Sequence, residues 1–284
     1  MITAIVLSDD SAARTHLLLE SLLANSGNLF DVTVLYKYSD ENFFEGYSKA
    51  AEHFYSKNKY GHAFPIKWME REHLEISKDL SFCLKSSRDI VCLFNDENIL
   101  FTRPPSYQSI KTLFNDFDPL SLSLRLGNNT VIQNPYESNN YFAELPSEGE
   151  FVLDEFLVWD SSKVTPYTNF AIPFSTNGHC YKRSTLDKIM THSSESRIDA
   201  LEEELQPLIY EELYKNLSRM MACPEFSVVI HNSSKKISEA VRTGLGMEKV
   251  DINLRYLEGK SIDLDYFSFN AISKPYEDFV IRFR

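Results

Sequence analysis

A chain of 284 residues is long enough to bury a sizeable core, as one large α/β domain or two small ones. Its formal charge of −12 argues against a surface built mainly to collect nucleic-acid phosphates, and 43% hydrophobic with 25% charged residues excludes global disorder. A total of 20 Phe and 15 Tyr against 9 Gly points to a core and clefts built from rings.

Residues 2–7 (ITAIVL) read as a buried strand, and the following run to Gly27 as an amphipathic helix carrying Leu17, Leu18 and Leu22. The first strand has no basic leader and meets Asp9 and Asp10 at once, so no signal peptide is expected. No apolar run approaches the roughly 20 residues of a membrane helix. Cys83, Cys92, Cys180 and Cys223 form no CxxC pair, and reduced thiols in a cytoplasmic setting are expected. Strands are then expected at 30–39, 64–71 and 89–94, with helices at 43–58 and 72–87 between them. Such alternation predicts a parallel sheet whose ligands lie beyond the carboxyl ends of its strands. Three polar tips should collect at that edge: SDD at 8–10, YKYSD at 36–40 and NDEN at 95–98.

The second half reads as more β and loop. Strands are expected at 119–127, 156–162 and 226–234, a long polar loop with a hairpin at 128–151, and helices at 184–192 and 197–217. Residues 251–267 read as a helix or a strand that turns at Glu258 and Gly259. With no repeat and no linker, both halves are expected to share one sheet in a single domain, 1–284. Residues 1–105 would be its nucleotide-binding half and 106–284 its acceptor side.

Asp96 and Glu97, at the end of a buried strand, suit a hard divalent cation shared with substrate phosphates. The same residues with Asn95 also suit a plain turn. Ser8 and Asp10 follow the first strand and Arg14 opens the helix, where free N–H groups and positive charge favour phosphate. Tyr36 and Lys37 end the second strand, placing a ring for base stacking, and Lys85 precedes the fourth strand.

The order of these elements, AIVLSDD first and an acidic tip near residue 96, resembles the nucleotide-sugar-binding half of GT-A glycosyltransferases, especially family-two-like bacterial and viral nucleotide-sugar transferases. Their acidic DxD-type motif closes the fourth strand; the tip here reads Asn95-Asp96-Glu97. PFSTNGHCYKRSTL resembles an SxDGHxxR-type segment, with Asn177 where Asp is expected and Gly178, His179 and Arg183 in place. SLRLG at 123–127 and NLRYLEGKSIDL at 253–264 resemble segments of the same subgroup.

The resemblance implies an α/β GT-A-like fold with a mostly parallel central sheet flanked by helices. It implies Mn²⁺ or Mg²⁺ on Asp96 and Glu97, with His231 as a late ligand and Lys235 on the leaving diphosphate. Asn95, Asn177 and Gly178 would lie against the donor, Gly178 letting backbone pass close to a sugar, and His179 would bond hydroxyls. In DALEEELQ, Glu202 or Glu203 would be the general base of an inverting enzyme; successive helical positions cannot all face one side. The implied activity is transfer of a sugar from a nucleotide diphosphate sugar to a hydroxyl acceptor, a glycan or surface polysaccharide. Two alternatives stand beside it: a degenerate nucleotide-sugar or glycan-binding protein, and a viral-type transferase glycosylating a modified DNA base. Inversion or retention is left open.

Overall fold

The computed structural model describes residues 1–59, 65–131, 145–165, 168–211, 215–232, 248–263, 269, 272–273 and 282–284. Lys235 and most of the loop expected at 128–151 lie outside them.

Four strands begin the fold: β1 (Ile2–Asp9), β2 (Phe30–Lys37), β3 (Ile66–Glu70) and β4 (Ile90–Asn95). They pair in parallel in the order β3-β2-β1-β4. The apolar, β-branched run of β1 is buried along nearly its whole length because it lies between β2 and β4. The crossovers are α1 (Ala12–Asn25), α2 (Glu41–Lys59) and α3 (Ile76–Lys85).

The second half extends the same sheet. Strands β6 (Ser121–Ser123), β7 (Glu150–Val152), β8 (Phe156–Asp160), β9 (His179–Lys182) and β10 (Met220–Pro224) complete the order β3-β2-β1-β4-β9-β6-β10-β8-β7. Only β9 and β8 run against the common direction, so the sheet is mostly parallel. Helices α5 (Arg183–Met190) and α6 (Ile198–Glu211) cover one face with α3, around Ile5, Leu80, Ile189 and Leu205. The other face packs Val6, Leu18, Leu22 and Phe54 against α4 (Tyr107–Asp116) through Ile110 and Leu113. All four cysteines are buried and free.

A second sheet of two strands crosses the carboxyl edge of the first. It pairs β5 (Asn98–Leu100) antiparallel with β11 (Val229–His231), setting Asn98 opposite His231. The strand expected at 226–234 is thus shorter and belongs to this small sheet. The ambiguous stretch from 251 is helical in α7 (Lys249–Leu257) as far as Leu257, and the chain turns at Glu258 and Gly259 as expected. Here α7 lies on α1 and α2, where Gly46 admits it: a Cβ on Gly46 would stand 2.4 Å from Asn253 Oδ1. Among the described residues no helix is long and apolar enough to cross a membrane.

Candidate active site

The strand register levels the three polar tips, because Leu7 pairs with Asn95 and Ser8 with Tyr36. Asn95 makes the turn after β4, its Oδ1 accepting from the Glu97 amide at 3.1 Å and its own amide donating to Asn98 Oδ1 at 3.0 Å. The tip is therefore a turn built by Asn95, and that turn aims Asp96 and Glu97.

From Glu97 a chain of polar contacts runs across the edge. Arg14 Nη1 donates to Glu97 Oε1 at 2.6 Å, and Glu97 Oε2 lies 3.4 Å from His231 Nε2. Asn98 Nδ2 donates to His231 Nδ1 at 3.3 Å and to Asn177 Oδ1 at 3.2 Å. An amide nitrogen only donates, so His231 Nδ1 accepts and the Nε2 proton faces Glu97. Asn177 Nδ2 then donates to Glu202 Oε1 at 2.9 Å. That oxygen also accepts from Ser175 Oγ, Thr176 N and Thr176 Oγ1 at 2.7–3.1 Å. Residues from α1, the β4 tip, β11, the 175–178 loop and α6 thus form one network.

Asp96 stands beside it with 8% of its surface exposed. Burial pushes its carboxyl up to about 6, a shift opposed by Lys249, increased by Glu97, and opposed again by Arg14 and a hydrogen bond from Ser8. A buried carboxylate so short of counter-charge fits a cation. Glu97 and His231 face each other beside it, and Arg14 neutralises Glu97. Among the described residues, the one set of three His, Cys, Asp or Glu ligand atoms all within 4.8 Å of one another lies elsewhere. Asp96, Glu97 and His231, the three expected metal ligands, thus gather at the same edge without meeting that spacing.

Several other expected residues have different surroundings. His179 is 0% exposed, paired between Leu93 of β4 and Ser123 of β6, so its ring does not reach the edge. Burial, with nearby Arg125, keeps that imidazole neutral well below its ordinary range. Lys85 ends α3 beside the amino end of β4, the opposite edge, because a crossover helix returns the chain there. Glu203 is exposed, one helical position around from Glu202, while Glu204 caps Ser193 and Ser194.

Ser8 Oγ is held by Tyr47 OH at 2.6 Å and Thr15 Oγ1 at 2.8 Å, so it braces the edge. Asp10, at φ 53°, accepts from the Ser39 amide at 2.7 Å and fixes the β2 tip. Tyr36 packs on Tyr47 with ring centroids 4.7 Å apart and on Tyr38 at 6.4 Å, and Lys37 beyond it is exposed. Asn98, Tyr47, Arg71 and Lys249 were not among the expected residues. Buried Arg71 pairs with Asp9 at 2.9 and 3.0 Å, and Lys249 Nζ donates to the Asp9 carbonyl at 2.6 Å. Asn98 carries a visible signal, a second polar residue closing NDEN; Lys249 has none without the docking of α7.

Gly178 faces protein, not open space. At φ +71°, a Cβ there would stand 3.0–3.2 Å from the Val229 side chain. Gly178→Ala combines left-handed strain with overpacking and is expected to cost about 3 kcal/mol in urea unfolding. A loss below about 1 kcal/mol would show that β11 yields.

The sheet order and the acidic tip between two sheets give the mostly parallel α/β architecture flanked by helices that the GT-A resemblance implies. No family model and no curated protein matches the sequence. Among solved structures, residues 1–349 of TarS from S. aureus are 13% identical, cover 89% of this chain and 68% of their own, and give a TM-score of 0.48. CMP:2-keto-3-deoxy-manno-octonic acid synthetase with CTP gives 11% identity over 86% and 98%, and 0.42. The mannosyltransferase PcManGT from Pyrobaculum calidifontis, with GDP-Man and Mn²⁺, gives 15% over 45% and 35%, and 0.31. These are likenesses of fold, and no residue's role is drawn from them.

Proposed function

We propose that the protein transfers a sugar from a nucleotide diphosphate sugar to a hydroxyl acceptor. The observation that carries this reading is the continuous polar path from Arg14 through Glu97, His231, Asn98 and Asn177 to Glu202, beside Asp96, at the carboxyl edge of the sheet. That edge is where open α/β sheets bind ligands.

Arg14 and Lys249 supply positive charge where the donor diphosphate would lie, and the Tyr36–Tyr38 pair offers rings to the base. Asp96 is the residue that would hold a divalent cation, which when bound neutralises charge on the departing diphosphate. Glu202 is the candidate base. Its Oε1 is held by four donors, and among the described residues Oε2 has no hydrogen bond, leaving that oxygen to accept the acceptor hydroxyl's proton if the reaction inverts. The acceptor oxygen then bonds the anomeric carbon as the bond to the diphosphate oxygen breaks. Asn177, by holding both Asn98 and Glu202, fixes the distance between the donor and acceptor sides.

A donor panel tests the reading. A cognate nucleotide sugar should raise the melting temperature, since it binds the native state, and should be slowly hydrolysed or transferred. Stabilisation without turnover on an acceptor panel would favour a binding protein; no stabilisation and no turnover with any donor would remove the proposal.

A further inference from the structure

Away from this edge, three helices bring a second set of ligand-type side chains together. His16 and Glu20 lie one turn apart on α1, and His53 and Lys57 one turn apart on α2. Tyr256 of α7 meets His16, its hydroxyl 2.8 Å from Nδ1. His16 Nε2 thereby faces Glu20 Oε1 at 3.4 Å, and His53 Nε2 lies 2.9 Å from the same oxygen. The three ligand atoms all lie within 4.8 Å of one another.

We propose that His16, Glu20 and His53 form a site for a transition-metal dication such as Zn²⁺, a site separate from the donor edge. Tetrahedral zinc with bonds of about 2.0–2.1 Å has ligand-to-ligand edges of about 3.4 Å, close to the 2.9 and 3.4 Å seen here. Two imidazoles and one carboxylate suit zinc and its neighbours better than Mg²⁺ or Ca²⁺, which want oxygen. With Nε2 on the metal, His16 Nδ1–H donates to the Tyr256 hydroxyl, the outer contact that orients a ligating imidazole.

Without metal, Lys57 serves as the cation. Its Nζ sits on both Glu20 oxygens at 2.6 and 2.8 Å, and its side chain is one-third exposed, so it can swing into water. Metal entry therefore exchanges an ammonium for a dication and ties α1 to α2 beside α7, the helix that brings Lys249 to Asp9.

Calorimetric titration of metal-stripped full-length protein with Zn²⁺ tests this, in an Asp96→Ala background to remove oxygen-type binding at the other edge. One equivalent is expected, weakened at least roughly tenfold by His53→Ala and tightened roughly tenfold by Lys57→Ala. Co²⁺ substituted there should show visible absorption bands that His53→Ala abolishes. An equivalent that His53→Ala retains at full affinity, or none in either the parent or Lys57→Ala, overturns the proposal.

Discussion

Asp96→Asn is expected to make the protein more stable at pH 7.5 while abolishing donor turnover. In the unfolded chain an aspartate titrates near 3.8, whereas burial raises Asp96 to about 6. The folded state therefore binds the proton more tightly. Stability associated with this group is full below pH 4, declines as pH rises, and is lost above pH 6. A rise from 3.8 to about 6 corresponds to a penalty on the order of 3 kcal/mol for the ionised form. Asparagine keeps the shape, can still bond Ser8, and carries no charge. Urea unfolding should show a gain of about 2–3 kcal/mol over the parent at pH 7.5 and none near pH 4. Equal stabilities at both pH values would show that Asp96 is already compensated. Retained turnover would remove it from the site. Such a trade of stability for a poised charge is common at functional sites.

Asn177→Asp should act in the opposite sense, although it restores the acid that the GT-A resemblance expects. The Asn177 amide accepts from Asn98 and donates to Glu202 at 2.9 Å. A carboxylate can do only the first. It would set two carboxylate oxygens about 3 Å apart in a buried position, where both cannot ionise, so one proton would be shared and its pKa raised. By the same linkage the variant should match the parent near pH 4–5 and lose about 2–3 kcal/mol by pH 8, with turnover falling over that range. A variant as stable as the parent at pH 8 would show that Asn177 is not the strut between Asn98 and Glu202. The asparagine thus belongs to this protein's own network, and its presence alone is no sign of a degenerate site.

The first half of the fold was legible because β1 and β4 are nearly continuous apolar runs, β2 alternates apolar with polar residues, and each crossover helix has its own periodicity. The expected strands and helices through residue 94 all form. Short strands were not. In β9, His179-Cys180-Tyr181-Lys182 has no alternation to read, and it becomes a strand only by filling the gap between β4 and β6. β5 is three residues beyond a turn and needs β11, over 100 residues later, as its partner. By contrast α4 is written locally, with Ser106 accepting from the Ser109 amide and Ile110, Leu113 and Phe114 on one face, although it was not among the expected elements.

The site divides along the same line. Sequence alone determined that carboxylates, an arginine and rings would gather at the carboxyl edge, because strand direction and loop position fix which residues end there. It also determined that the three successive glutamates of α6 would diverge, because helical spacing forces it. Only the tertiary structure decided which of those groups are already spoken for. Glu97 is matched by Arg14 and His231, His179 is sealed within the sheet, Gly178 is pressed against Val229, and Lys249 arrives on a helix docked from the far end of the chain. Partnership and burial are properties of long-range packing, and they decide whether a carboxylate such as Asp96 is left short of a counter-charge.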